Sequence, residues 1–196
     1  FDLSGEAMIN KQSAENVRLK LTLDSILFKP LGLSADDFRL HGIVSADIPV
    51  ADMNNPQGTI LLNDLVIKNN EQRYQADSIT VKAASTDSGK TISLISPIIT
   101  AVLNGAYNLA TIANGPMQVI NKYYNLGIQD SAAAEDKWKL DMVIIPDSML
   151  FALVPSLAGS DTIRATALFN GAKDSLGLLV NAPLIKSSGQ TIDSLT

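Results

Sequence analysis

A period of two runs through most of this chain, and one stretch departs from it. Val17, Leu19, Leu21 and Leu23 alternate with Arg18, Lys20 and Thr22. One side is apolar and the other charged, the pattern of a half-buried strand, and Pro30 ends it. Residues 38–50 repeat the pattern, with Phe38, Leu40, Gly42, Val44, Ala46 and Ile48 on one side. The runs 58–67 and 74–83 predict a hairpin around residues 68–72. Inside it, Ile60 and Leu62 change phase to Leu65 and Ile67 across Asn63-Asp64. Tyr74 and Ala76 slip against Ile79 and Val81 in the same way at Asp77-Ser78, and such a slip predicts a bulge.

The departure lies in 92–124. Ile92 and Leu94 alternate with Thr91 and Ser93, and 97–103 is almost wholly apolar or small. Asn104-Gly105 breaks that run. Ile112, Pro116, Val119, Ile120, Tyr123 and Tyr124 then recur at three- and four-residue spacing, which predicts a helix over 112–124. An amphipathic helix among strands needs a surface for its apolar stripe, and the sheet's inner face is the candidate. Trp138, Leu140, Met142 and Ile144 restore the period of two, and Asp147 is placed to cap a short apolar helix in MLFALVPSL. Residues 163–169 and 176–184 predict a second hairpin around Asn170-Gly171. Residues 1–9 alternate weakly, 185–196 add a strand, and Ser34 could cap a helical turn at 33–37. The total is about ten strands and two or three short helices.

Composition sharpens this picture. Of 20 acidic residues only Glu6, Glu15, Glu71 and Glu135 are Glu, and the excess of Asp favours turns and caps over helix interiors. Asp-Ser recurs at Asp24, Asp77, Asp87, Asp130, Asp147, Asp174 and Asp193 without a fixed period, which reads as local turn chemistry. Aromatics are only 5%, so Ile, Leu, Val and Ala supply the apolar surface. Net charge is −5 with no block of like charge, which argues against nucleic acid. The absence of cysteine excludes thiol chemistry and Cys metal sites.

Catalysis is not indicated. His41 is the one histidine, has no partner fixed by sequence, and reads as a surface or edge residue. No G-x-S-x-G elbow occurs; Gly159-Ser160-Asp161 reads as a turn. Asp36 and Asp37 point to different sides and suit a cap better than acid–base work. Asp47, Asp52, Asn54 and Asn55 could offer oxygens to calcium, but lack the alternation of a calcium loop and read as an Asx-rich turn.

Three stretches carry a resemblance: LNGAYNLATI…QVINKYYN over 103–125, NNPQGTILLNDLVIKNNEQRYQADSITVKA over 54–83, and IIPDSMLFALVPSLAGSDTIRATALFNGAKDSLGLLVNAP over 144–183. In this order they resemble TamB-like translocation and assembly modules of Bacteroidota, in the AsmA superfamily. The resemblance implies a fragment of a long periplasmic protein anchored in the inner membrane, whose β-sheets curl into an open, apolar trough for phospholipid. It implies work in outer-membrane assembly with a barrel protein of the Omp85 type, through parts outside 1–196.

The expectation is therefore a mainly antiparallel β chain: a curved, open, trough-like sheet with two or three short helices. Residues 1–196 read as one elongated segment of a larger protein, with a possible sub-boundary at the polar, Ala-rich stretch 127–136. It is expected to be non-enzymatic and without cofactor, its partners being phospholipid acyl chains. The residues expected to line the groove are Leu19, Leu21, Leu40, Val44, Ile60, Leu62, Ile79, Val81, Leu140, Met142, Leu178 and Val180. Two alternatives share the same periodicity: a scaffold segment whose apolar faces close into a dry core, and a cell-surface carbohydrate-binding sandwich. One Trp and four Tyr offer the second few sugar platforms. Whether the helix over 112–124 plugs the groove is left to the structure.

Overall fold

The computed structural model describes residues 3–9, 17–27, 29–31, 38–50, 52, 54–69, 72–125, 127, 135–187 and 190–195. The strands are β1 (Leu3–Ile9), β2 (Val17–Leu27), β3 (Phe38–Val50), β4 (Gln57–Asn69), β5 (Gln72–Thr86), β6 (Gly89–Ile95), β7 (Ile99–Ala106), β8 (Lys137–Ile144), β9 (Ile163–Asn170), β10 (Ser175–Ser187) and β11 (Gln190–Leu195). Two α-helices interrupt them: α1 (Asn114–Tyr124) and α2 (Ser148–Leu153). Each strand pairs antiparallel with the next in sequence. Strands β1 to β10 form one open sheet, and β11 extends it along the second half of β10, from Ala182 onward.

The phase slips become a line of irregularity across four strands. Leu23 pairs with Gly42 but Ile26 pairs with Leu40, so Asp24 and Ser25 face His41 alone. Next door, His41 pairs with Val66 and Ile43 with Asn63, leaving Asp64 and Leu65 against Gly42. Asp64 takes the left-handed conformation at φ 52°, which Asp tolerates better than most residues. Gly42 fits the crossing because a Cβ there would lie 3.2 Å from the Asn63 carbonyl oxygen. Between β4 and β5 the register is the same on both sides of the line, Asn63 opposite Ser78 and Leu65 opposite Ala76. The two strands thus change phase in step. Bulges bend strands and increase local twist, and two of the Asp-Ser pairs supply residues to this line.

Several expectations are corrected. The run 92–103 is two strands, turned at Pro97: the Ser96 amide donates to the Ile99 carbonyl at 2.9 Å, and the buried Ser96 hydroxyl bonds both the amide and the carbonyl of Ile99. Asn104-Gly105 does not break β7, which runs on to Ala106. Gly105 lies at φ 144°, and a Cβ would stand 2.2 Å from the Lys137 carbonyl oxygen; glycine is there so that β8 can approach. The second hairpin is not a two-residue turn at Asn170-Gly171. A 3-10 turn (Gly171–Lys173) and a left-handed Asp174 close it. Asp147 does cap α2, its carboxylate accepting from the Met149 amide at 2.7 Å. Ser34, Asp36 and Asp37 lie outside the described residues, as does most of 127–136.

The core is small and sits at one end of the sheet. Phe38, Leu65, Ile67, Ala76, Ile98, Met149 and Leu150 are buried together, with Leu40, Leu62, Tyr74, Ile79, Ile99, Ile144, Phe151 and Leu153 packed around them. Burying each large side chain contributes about 1.5–3 kcal/mol. This cluster is α2 seated on β3–β5 and on the β6–β7 turn. Its connector is fastened by Ser160, whose buried hydroxyl bonds both the amide and the carbonyl of Lys186 on β10.

Candidate functional site: one apolar face

Residues directly opposite each other in a ladder share a face, so the register assigns every candidate a side. Leu21, Val44, Leu62 and Ile79 form one cross-strand row. Leu19, Ala46, Ile60, Val81, Leu94, Ala101, Met142, Ala165 and Val180 form the next. Ile92, Leu103, Leu140, Ala167 and Leu178 form a third, and Leu40 stands beyond the bulge line on the same side of β3, opposite Ile67. All twelve expected groove residues therefore lie on one face of one sheet. None is buried: Leu178 is 70% exposed and the other eleven are partly buried. Among the described residues no second sheet lies over them.

The rows differ in what covers them. At one end of the strands, Leu40, Leu62 and Ile79 pack against the α2 cluster. At the other end, the row through Lys90, Gly105, Trp138 and Phe169 is closed by aromatics, with Trp138 and Phe169 ring centroids 5.5 Å apart. Lys90 donates its ammonium to the Tyr107 carbonyl and lies over that ring at 5.7 Å. Tyr107 itself is buried, which pushes its phenol pKa up. The two middle rows, from Leu19 and Ile60 to Val180 and Leu178, cross the strands between these ends.

The helix over 112–124, whose candidate surface was the sheet's inner face, is not the one that packs on the core cluster; α2 is. α1 starts at Asn114, so Ile112 precedes it, and Ala113 makes no side-chain cap. It lies against β10, with Tyr123 and Tyr124 75% and 77% exposed. Those two tyrosines are not part of a buried stripe. The six-residue α2 supplies the cover instead, and Trp138 with Phe169 supplies the other end; neither role was read from sequence, though the apolar run after the Asp147 cap was the available signal.

The opposite face mixes ion pairs with exposed aliphatic residues, Ile95, Val102, Leu168 and Leu179 among them. Arg18 meets Asp47 at 3.7 Å, Lys139 meets Asp141 at 2.8 Å, and the Thr166 hydroxyl donates to Asp141 at 2.8 Å. Lys139, and after it Thr166, hold the Asp141 carboxyl below its ordinary pKa. In the 52–55 turn the Asp52 carboxylate accepts from the Asn54 amide and the Asn55 side chain at 2.8 and 3.0 Å, which likewise lowers its pKa. Of the four residues considered for calcium, Asp47 thus faces Arg18 and Asp52 closes an Asx turn. Among the described residues no group of three or more His, Asp or Glu could hold a metal. His41 lies on a central strand rather than an edge, its Nδ1 3.2 Å from the Asp24 carbonyl oxygen. Compared with family models, curated proteins and solved structures, the chain has no match in any of the three.

Proposed function

We propose that the apolar face receives phospholipid acyl chains, as a segment of a trough in a TamB-like, AsmA-superfamily protein of the periplasm. One observation carries the reading: a continuous aliphatic surface on a single-layer sheet, with its middle rows partly exposed and flanked by covered ends. A monomeric protein rarely leaves so extended an apolar face against water without a use for it. Each methylene that leaves water for such a surface gains about 0.8 kcal/mol, while a charged headgroup can stay at the open side. Moving along rows of equivalent aliphatic side chains changes that energy little. Transfer then needs no bond chemistry, and no enzymatic role is proposed. The anchor in the inner membrane and the outer-membrane barrel partner would be reached through other parts of a longer chain.

Native mass spectrometry of the purified chain, with uptake of a fluorescent phospholipid, tests the proposal. Bound phospholipid is expected, and a Val81→Arg/Met142→Arg variant that still folds should lose it. A protein that carries no lipid and takes up none overturns the reading. The seating of α2 on the face favours one second reading, a scaffold segment whose apolar surface is covered by protein. In that case the same variant aggregates or unfolds, and lipid is absent from the native chain.

A further inference from the structure

One row on the face opposite the aliphatic one sets three cations side by side. Two other cations on that face meet an anion: Arg18 lies directly opposite Asp47, and Lys139 bonds Asp141. Arg39, Lys68 and Arg73 instead lie directly opposite one another across β3, β4 and β5. Like charges in that relation destabilise a sheet, and at about 4.8 Å between strands the three positions span roughly 10 Å. Among the described residues none of the three has a carboxylate partner. The chain carries net charge −5, so a local excess of cations is not a by-product of composition.

The row also borders a depression of about 370 Å³, with the buried Val66 among its lining residues. His41 and the β2 bulge at Asp24 line it too. Asp24 is the one carboxylate in this lining, and it lies against His41 at 3.7 Å. We propose that the depression over Arg39, Lys68 and Arg73 binds a phosphate-type oxyanion, free or as a lipid headgroup. Two guanidinium groups can each present a pair of parallel N–H donors to such an oxyanion, and the lysine adds a third charge between them. A bound anion turns the repulsion within the row into attraction. The three cations are on the face opposite the proposed acyl surface and do not depend on it, although Leu40 also lines the depression.

The test titrates the protein with inorganic pyrophosphate at constant ionic strength, reading backbone amide shifts, and in parallel measures sedimentation with vesicles of phosphatidylcholine with or without phosphatidylglycerol. Saturable shifts centred on 39, 41, 66, 68 and 73 support a free oxyanion. Binding confined to the phosphatidylglycerol vesicles supports a headgroup. In either case Lys68→Gln should weaken binding about tenfold and Arg39→Gln/Lys68→Gln/Arg73→Gln should abolish it, with the strand signals of the fold retained. In the absence of anion the triple variant should melt no lower than the parent, because repulsion has been removed. The proposal is overturned if neither probe binds, or if binding survives the triple substitution.

Discussion

At the scale of single residues, the sequence shows chemistry more readily than close approach. Asp147 before an apolar run is readable as a cap, and the Asx-rich turn at 52–55 is readable from its composition. Gly105 is not: Asn-Gly suggests a break, whereas the strand continues and the glycine exists because the Lys137 carbonyl passes where a Cβ would stand. Gly105→Ala should therefore cost about 1–3 kcal/mol through strain and displacement of β8. Gly177→Ala is the contrast, since a Cβ there meets nothing nearer than 3.8 Å, and its effect should stay within about 0.5 kcal/mol. Urea unfolding of the two variants checks both. Asp141 gives a pH prediction. Its folded pKa is depressed below 3.8, by Lys139 first and Thr166 second. A depressed carboxyl contributes stability that is present above its unfolded pKa and is lost as pH falls through the lower folded value. Stability should then decline below about pH 4, and Asp141→Asn should flatten that acid limb; an unchanged limb in the variant contradicts the assignment.

At the scale of elements, the two helices show why a strong periodic signal can mislead. α1 has the longer amphipathic pattern, yet its last turn projects Tyr123 and Tyr124 into solvent, and its Lys122–Asp174 ion pair at 2.6 Å is exposed on both sides. Exposed pairs of this kind contribute little. α2 spans six residues, too few to display a period and too few to be stable alone. What makes it the cover is position: it follows β8 through residues 145–147, and the chain there lies over β3–β5 and the β6–β7 turn. Packing then stabilises a helix that propensity would not. Replacing Leu150 with Ala should cost about 2–5 kcal/mol, and Asp147→Ala about 1 kcal/mol through the lost cap. Tyr123→Ala, by contrast, should fall within about 0.5 kcal/mol. Chemical denaturation of these three variants ranks the helices; a larger loss at Tyr123 than at Leu150 reverses the ranking proposed.

At the scale of the whole molecule, alternation along each strand was enough to place all twelve aliphatic candidates on one face, and the phase slip at Asn63-Asp64 was enough to locate the β4 bulge, though not the β2 bulge at Asp24-Ser25. Periodicity could not decide whether that face meets another sheet, because an apolar side chain alternates in the same way in a closed sandwich and in a single layer. The structure decides it by topology: all eleven strands belong to one open sheet, and among the described residues no second sheet lies over the face. The same architecture divides the candidates in a way the sequence could not. Leu40, Leu62 and Ile79 support α2, whereas Val81, Leu140, Met142, Leu178 and Val180 stand in the rows between the covered ends. If acyl chains occupy the face, a photo-crosslinker at Val81, Leu140 or Leu178 should capture phospholipid in cells, and one at Leu40 or Leu62 should capture α2 instead. Opening the cover with Leu150→Ala should extend lipid capture to Leu62. Silence at Val81, Leu140 and Leu178 alike, with intact folding, leaves the apolar face a protein-covered scaffold and removes lipid from its role.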